Sequence, residues 1–331
     1  MQTVGVVGAG SWGTTVACLA AESQPTCLWA RRQDLAETMN RSRQNREYLP
    51  GRQLPPLLTA TADLEQALDS DVLIWAVPSH GLREVLTAAQ SYVRDDQPNV
   101  SLSKGIEQGT LLRMTQVIGE VLAHQPPNSI GVLTGPNLAA EVAAGQPAAS
   151  VIAMEDEALA KQLQVLLIRP SFRIYTNRDV IGCEAAGALK NVMAIAAGMS
   201  VGLGFGDNSL ATLITRALAE LTRLGVAMGG KPATFSGLAG MGDLVATCMS
   251  DKSRNHKVGV LLAQGQTLEE ITSSMQMVAE GVKSTRAVLD LAARYETEMP
   301  IAREVGRVLY EGSHPKDAVL ALMTRQARAE D

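Results

Sequence analysis

The chain has 331 residues, of which 46% are hydrophobic and 19% charged, and its formal net charge is −5. This length exceeds what one hydrophobic core usually supports and predicts two domains. The negative charge argues against nucleic acid as a partner, because a phosphate backbone requires a clustered basic face. A small anionic ligand, which needs only a few local cations, is still allowed.

No targeting or membrane-inserting segment is expected. The sequence starts directly with the strand-like "TVGVVGAG", without a basic leader. The longest apolar stretches are interrupted by Lys190, by glycines or by polar residues. The four cysteines lie far apart, without metal-ligand or redox spacing, and indicate a reducing compartment. We therefore expect a cytoplasmic protein with no membrane insertion.

The first ~180 residues alternate short β-branched runs with helical stretches. The runs are "TVGVVGAG", "TCLWA", "DVLIWAVP", "NVSLSKG", "SIGVLTGP" and "SVIAM". Such alternation predicts βαβ units, that is, an α/β domain with a Rossmann-type doubly wound parallel sheet. Ligands of such sheets bind beyond the carboxyl ends of the strands, so the peptides that follow these runs are the candidate binding segments.

From about Asp179 onward helical periodicity replaces this alternation, and no convincing strand run follows residue 176. We therefore predict a dinucleotide-binding domain over residues 1–180 and an all-α substrate and catalytic domain over residues 181–331. The boundary lies near "TNRDVIG".

The segment "GVVGAGSWG" carries the spacing Gly8-x-Gly10-x-x-Gly13 directly after an apolar strand. The first glycine permits the tight turn, the second lets a pyrophosphate approach the backbone, and the third lets helix and strand pack closely. In this context the pattern predicts a dinucleotide site. Ser11 can hydrogen-bond a phosphate, whereas Trp12 is either core packing or a wall for the cofactor.

The second predicted strand ends in Ala30-Arg31-Arg32. An NAD-selective site would place an acid here, roughly 20 residues past the glycines, to hold the ribose 2′-hydroxyl. Two guanidinium groups suit a 2′-phosphate instead. We expect NADP(H) to be preferred and NAD(H) to be possible; the alternative is a solvated basic turn.

Lys190 lies in the middle of the apolar helix "GALKNVMAIAAG". Small same-face neighbours leave room for a substrate or nicotinamide, and apolar surroundings should lower the pKa of the amine towards that of a usable proton donor. The alternative is a lysine whose amine snorkels to solvent.

The segment "GLAGMGDLVATCMSDKSRN" contains Asp243, Thr247 and Arg254, which share one face if the segment is a continuous helix. Ser253 and Asn255 flank the arginine. An acid that orients a lysine, together with Arg and Asn donors, suits a small phosphorylated or carboxylated substrate. The alternative is a capped loop with a surface salt bridge.

Six blocks of the sequence together resemble the bacterial NAD(P)-dependent sn-glycerol-3-phosphate dehydrogenases. They run in order from residue 8 to about residue 288: "GAGSWG", "SLSKGIE", "TGPNLAAEV", "ALKNVMAIAAG", "GLAGMGDLVATCMSDKSRN" and "VAEGVKSTRAV". The resemblance implies interconversion of dihydroxyacetone phosphate and sn-glycerol 3-phosphate by hydride transfer, which supplies membrane-lipid synthesis.

The resemblance also implies residue roles. Lys190 would be the proton donor at the C2 oxygen, with Asp243 beside it. The other substrate-binding residues would be Lys104, Gly135, Asn137, Thr247, Ser253, Arg254 and Asn255. The cofactor side would comprise Gly8, Gly10, Ser11, Trp12, Gly13, Arg31, Arg32, Lys104, Ala139, Arg254, Val278 and Glu280. No metal is needed for this chemistry. Proteins of this fold are usually homodimers, and we expect one here.

Two positions depart from the family pattern. After "TGP" the family usually has Ser or Thr followed by Phe, where this chain has Asn137 and Leu138. We expect Asn137 to keep a hydrogen-bonding role and Leu138 to alter local packing.

Two other functions are alternatives to this dehydrogenase activity. One is a similar reductase of another small keto or sugar acid. The other is a non-catalytic dinucleotide sensor, which has no reason to keep Lys190.

Overall fold

The computed structural model describes residues 1–275 and 279–326 and divides the chain into two compact units. The first unit comprises Met1–Glu107 and Leu112–Glu184. The second comprises Gln108–Leu111 and the chain from Ala185 onward.

Within the described residues, the first unit is built on one eight-stranded sheet. Its strands are β1 (Val4–Val7), β2 (Thr26–Trp29), β3 (Leu58–Thr61), β4 (Val72–Trp75), β5 (Asn99–Ser101), β6 (Ile130–Thr134), β7 (Ala148–Ala153) and β8 (Phe172–Asn177). Their order is β3-β2-β1-β4-β5-β6-β7-β8. Neighbours run parallel except β6 and β7, which are antiparallel. The predicted Rossmann-type sheet is confirmed.

Helices cover both faces of this sheet. They are α1 (Ser11–Ala20), α2 (Gln33–Ser42), α3 (Leu64–Leu68), α4 (Leu82–Ala89), α5 (Met114–Val121), α6 (Ala139–Ala143) and α7 (Glu157–Leu167). Every residue of β1 and β4 is buried. The side chains of β1 divide between two hydrophobic clusters, with Val6 in one and Val7 in the other. This burial on both faces explains why the central strands read as continuous apolar runs.

The strands that sequence reasoning left out lie at the two edges of the sheet. β3 has the sequence LTAT and β8 the sequence FRIYTN, and both alternate buried with exposed positions. An edge strand that is covered on one face needs no continuous apolar run, so its signal is weaker than that of β1 or β4.

The second unit is helical. Its helices are α8 (Val180–Gly202, which begins in the first unit), α9 (Asp207–Ala227), α10 (Pro232–Phe235), α11 (Asp243–Met249), α12 (Arg254–Ala263), α13 (Leu268–Ser274), α14 (Glu280–Arg294), α15 (Pro300–Tyr310) and α16 (Pro315–Met323). No strand occurs between residues 179 and 326 in the part of the chain that the structure describes. Helix α8 is long and apolar enough to cross a membrane, but 94% of its most apolar window is buried inside the protein. It is therefore a core helix.

Helices α8 and α12 cross with their backbones in contact. A Cβ atom added at Gly198 of α8 would lie 1.9 Å from the carbonyl oxygen of His256, and one added at Gly259 of α12 would lie 2.0 Å from that of Ile195. The small residues at this end of α8 therefore admit a neighbouring helix.

The first turn of α15 is capped by a distant side chain. The residue before this helix is Met299, which provides no side-chain cap, and Pro300 has no N–H to donate. The buried carboxylate of Glu220, on α9, accepts hydrogen bonds from the backbone N–H groups of Ile301 (2.8 Å) and Ala302 (3.4 Å). These bonds satisfy donors that every helix leaves unpaired in its first turn.

Candidate active site

The glycine-rich turn between β1 and α1 has the geometry of a phosphate-binding loop. Gly8 has a φ of +123°, and a Cβ there would lie 2.7 Å from the carbonyl oxygen of Ala76. A Cβ at Gly13 would lie 2.0 Å from the carbonyl oxygen of Gly8, whereas one at Gly10 would meet no atom within 4 Å. Open space at Gly10 and an α1 N-terminus without a side-chain cap fit a dinucleotide pyrophosphate.

Ser11 and Trp12 begin α1. The Ser11 hydroxyl donates a hydrogen bond to the carbonyl oxygen of Tyr48 (2.6 Å). The Trp12 ring packs edge-on against Phe172, with 6.2 Å between ring centroids, at the border of the hydrophobic core. Its buried Nε1 has no hydrogen-bond partner among the described residues. Trp12 therefore packs on the core, and its role as a wall for the cofactor stays a prediction.

A turn at residues 45–49 rests on this loop and was not foreseen from sequence. Asn45 is fully buried, and its Nδ2 donates to the carbonyl oxygen of Ala9 (2.9 Å) and to the hydroxyl of Thr14 (2.8 Å). Its Oδ1 accepts from the backbone N–H of Tyr48 (3.2 Å). An isolated Asn in a polar segment carries no signal of such a contact.

The two arginines after β2 differ in their surroundings. Arg31 is exposed. Arg32 forms an ion pair with Glu47 and lies 3.7 Å from Asp34, measured from Nε to Oδ1. An acid, Glu47, is thus present near the end of β2. It belongs to a turn further along the chain and not to β2 itself.

The next group lies at the ends of β5 and β6. The Lys104 amine donates to the carbonyl oxygen of Gly135 (2.9 Å), whose φ is +140°. The Nδ2 of Asn137 donates to the Ser150 hydroxyl (3.0 Å), while its buried Oδ1 has no partner within the described residues. Asn137 thus hydrogen-bonds within the first unit, and its role at the substrate site stays a prediction.

The residues that follow Asn137 form the start of α6. Leu138 precedes the helix as its N-cap residue, and Ala139 is the first helical residue. The carbonyl oxygen of Ala139 accepts a hydrogen bond from the Thr15 hydroxyl of α1 (3.3 Å). Within the first unit, α6 is therefore attached to the helix that follows the glycine-rich turn.

In the second unit the structure brings together Lys190, Asp243 and Thr247. The Lys190 amine pairs with the Asp243 carboxylate and donates to the Thr247 hydroxyl (2.6 Å). Lys190 is 5% exposed and Asp243 1% exposed. The snorkelling interpretation is therefore wrong: the charge is buried and compensated by a carboxylate.

Local helix geometry places the two partners of Lys190. Asp243 begins α11 directly after a π-helical turn over Leu238–Gly242. Thr247 follows one turn later and donates to the Asp243 carbonyl oxygen (2.6 Å). Burial raises the pKa of the neighbouring Cys248 thiol to about 12, because little water reaches this end of α11 to solvate a thiolate.

The segment from Asp243 to Arg254 is not one continuous helix, so the condition for a shared face is not met. Helix α11 ends at Met249, and α12 starts at Arg254 with Ser253 as its N-cap. The Ser253 side chain accepts a hydrogen bond from the backbone N–H of His256 (3.3 Å), which is a common way to start a helix. Arg254 is exposed.

Asn255 is held by two other helices. Its Nδ2 donates to the Oδ1 of Asn191 on α8 (3.0 Å), and its Oδ1 accepts from the backbone N–H of Gly281 on α14 (2.9 Å). Glu280 is the first residue of α14 and is partly buried, whereas Val278 lies outside the described residues. Sequence reasoning missed Asn191, which follows the lysine directly and orients the candidate site residue Asn255.

The fold, the glycine-rich loop and the buried lysine–carboxylate pair define the class of protein. A Rossmann-type unit with a glycine-rich loop, followed by a helical unit with a buried lysine–carboxylate pair, is the architecture of a dinucleotide-dependent dehydrogenase.

Comparison with known proteins gives the family. A model of the N-terminal part of NAD-dependent glycerol-3-phosphate dehydrogenase matches residues 3–160, and a model of its C-terminus matches residues 179–320. The chain therefore belongs to the NAD-dependent glycerol-3-phosphate dehydrogenase family.

Individual relatives are similar over nearly the whole chain. A protein of Sphingopyxis alaskensis named glycerol-3-phosphate dehydrogenase [NAD(P)+] 2 is 54% identical over 91% of this chain and 90% of its own length. One from Streptomyces coelicolor is 50% identical over 98% of this chain and 97% of its own length. The crystal structure of glycerol-3-phosphate dehydrogenase from Coxiella burnetii is 37% identical, has a TM-score of 0.93, and covers 98% of this chain and 99% of its own.

Proposed function

We propose that this protein interconverts dihydroxyacetone phosphate and sn-glycerol 3-phosphate with NAD(P)H and so supplies glycerol 3-phosphate for phospholipid synthesis. The printed activity of its relatives supports the proposal. The observation that carries it is the buried ion pair of Lys190 and Asp243, joined by Thr247. A protein that only senses dinucleotides has no use for this costly arrangement.

The proposed chemistry is proton transfer by Lys190. A bound reduced nicotinamide supplies the hydride to C2 of the ketone. The Lys190 ammonium stabilises the negative charge that develops on the C2 oxygen and then donates its proton there. Asp243 and Thr247 fix the position of the amine. We assign catalysis to Lys190 and Asp243.

The phosphate would be bound by the start of α12. Ser253, Arg254 and Asn255 place a hydroxyl, a guanidinium and an amide at consecutive positions. The amide of Asn255 is already oriented by its bonds to Asn191 and Gly281. Binding energy from the phosphate would thereby fix C2 before the reaction. Lys104, Gly135, Asn137 and Thr247 complete the proposed substrate set.

The proposed dinucleotide-binding set is Gly8, Gly10, Ser11, Trp12, Gly13, Arg31, Arg32, Lys104, Ala139, Arg254, Val278 and Glu280. The two arginines support binding of NADP(H), and the Glu47 carboxylate that pairs with Arg32 is compatible with binding of NAD(H). We further propose that residues 1–180 and 181–331 act as dinucleotide and catalytic domains of a cytoplasmic homodimer.

Initial-rate assays test the proposal. Oxidation of NADPH and of NADH is followed with dihydroxyacetone phosphate and, in parallel, with non-phosphorylated keto acids. The proposal expects reduction of the phosphorylated triose, with Lys190→Ala lowering turnover by several orders of magnitude while dinucleotide binding persists. Faster reduction of a keto acid would favour another reductase, and unchanged behaviour of Lys190→Ala would favour a sensor.

A further inference from the structure

The turn at residues 45–49 is fixed against the glycine-rich loop at two points. Asn45 donates to the Ala9 carbonyl oxygen, and the Ser11 hydroxyl donates to the Tyr48 carbonyl oxygen. Within the turn, the Leu49 N–H donates to the Asn45 carbonyl oxygen (2.8 Å). Glu47 lies between these anchors. Its carboxylate is therefore carried by a backbone whose position depends on the dinucleotide loop itself.

At this position Glu47 is bound by groups of the same end of the sheet. It forms an ion pair with Arg32, whose side chain is 47% exposed against 45% for Glu47. The hydroxyl of Tyr48 also bonds to this carboxylate, and this bond together with burial raises the pKa of Tyr48. Half-exposed side chains can exchange partners when a ligand arrives, at little cost in free energy.

Arg32 is the N-cap residue of α2, the helix that follows β2, and a dinucleotide of either kind places its adenosine ribose at this end of the sheet. A 2′-phosphate there can pair with the Arg32 guanidinium. To do so it must take the place of the Glu47 carboxylate, and it then lies close to that negative charge. A 2′-hydroxyl can instead donate to that carboxylate, in the way that an acid at the end of β2 serves other Rossmann domains.

We propose that Glu47 is a cofactor-selecting residue, which weakens binding of NADP(H), supports binding of NAD(H), and so allows both to be used. The inference rests on the proposed function for the identity of the cofactors, but it does not depend on which ketone is reduced. It assigns to a turn residue the selection that is usually made by the residue at the end of the second strand.

Isothermal titration of NADPH and of NADH into the wild-type protein and the Glu47→Gln variant tests this, because the two ligands differ only in the 2′-phosphate. At about 5 Å in water, the repulsion between a carboxylate and a phosphate corresponds to about a five- to tenfold change in Kd. Glu47→Gln should bind NADPH tighter by about this factor and bind NADH no better than the wild type. In 0.5 M salt the gain should largely disappear.

Glu37→Gln is the matched control. Glu37 is an exposed carboxylate on α2 that accepts from Gln33 (2.8 Å), so its replacement removes the same charge away from the Arg32 pair. The control should leave the ratio of the two Kd values within about twofold of the wild-type value. Weaker NADPH binding by Glu47→Gln would show that Glu47 orients Arg32 for the phosphate and would overturn the proposal, as would an unchanged ratio. Failure to reduce dihydroxyacetone phosphate would count against the proposed function alone.

Discussion

Glu220 makes the stability of the helical unit depend on pH. Burial raises the pKa of this carboxyl from 4.5 to about 7, while the backbone N–H groups of Ile301 and Ala302 oppose the shift. Between these two pH values the folded protein retains a proton that the unfolded chain has released. Raising the pH from about 4.5 to about 7 therefore removes stability, by up to about 3 kcal/mol for the full shift.

The Glu220→Gln variant isolates this effect. Glutamine keeps a side-chain oxygen for the α15 N–H groups but does not titrate, so the variant should gain stability relative to the wild type as the pH rises from 5 to 8. Urea unfolding followed by circular dichroism measures the difference at each pH, and hydrogen exchange at Ile301 and Ala302 reports the cap directly. A difference that stays constant between pH 5 and pH 8, or that favours the wild type as pH rises, would refute the reasoning. Glu220→Ala, which removes the cap as well as the titrating group, should be about 1–2 kcal/mol less stable than Glu220→Gln at every pH.

Three further predictions concern Asp243, the glycine-rich loop and Arg254. Asp243→Asn leaves a buried ammonium without its partner and should cost about 3–5 kcal/mol; the double variant Lys190→Met with Asp243→Asn should recover the melting temperature in calorimetry but not turnover. Gly10→Ala should melt like the wild type yet bind NADPH more weakly in titration, whereas Gly13→Ala, with its Cβ 2.0 Å from a carbonyl oxygen, should melt well below it; equal melting of these two variants would contradict the packing argument. Arg254→Ala should raise KM for dihydroxyacetone phosphate about 100-fold without lowering the melting temperature, because the side chain is exposed and the contact is a charge-assisted one; an unchanged KM would remove Arg254 from the phosphate site.

The sheet and the helical second half could be predicted because their signals are local. A buried parallel strand reads as an apolar run, and the glycine spacing of the phosphate loop is contained within six residues. The edge strands β3 and β8 gave no such run, since only one of their faces is covered. The break between α11 and α12 could not be placed because the polar residues 250–253 carry no periodic signal for or against a helix, and only the capping by Ser253 reveals a new one.

The site was predicted unevenly for a similar reason. Lys190 stood out as a charge in an apolar helix, and Asp243 was suggested as an acid that orients a lysine. No spacing pairs two residues that lie 53 positions apart, however, and it was the resemblance to a family that placed them side by side. Asn45 and Glu47 were not foreseen at all. Their role depends on a turn that folds back on the glycine-rich loop, and no spacing in the sequence reports a contact between residues 31 to 37 positions apart.

In the proposed site, the glycine crossing of α8 and α12 sets the distance between Lys190, which would act on the C2 oxygen, and Arg254, which would bind the phosphate. Lys190 lies roughly two turns before Gly198, and Arg254 lies one to two turns before Gly259. Because backbone touches backbone at the crossing, no side chain there can be shortened or lengthened to move one helix against the other. A longer or shorter phosphorylated ketone would require one helix to slide by residues, in steps of about 1.5 Å, or by a whole turn of about 5.4 Å. Chain-length selectivity in this protein should therefore change through insertions and deletions in these helices rather than through point substitutions.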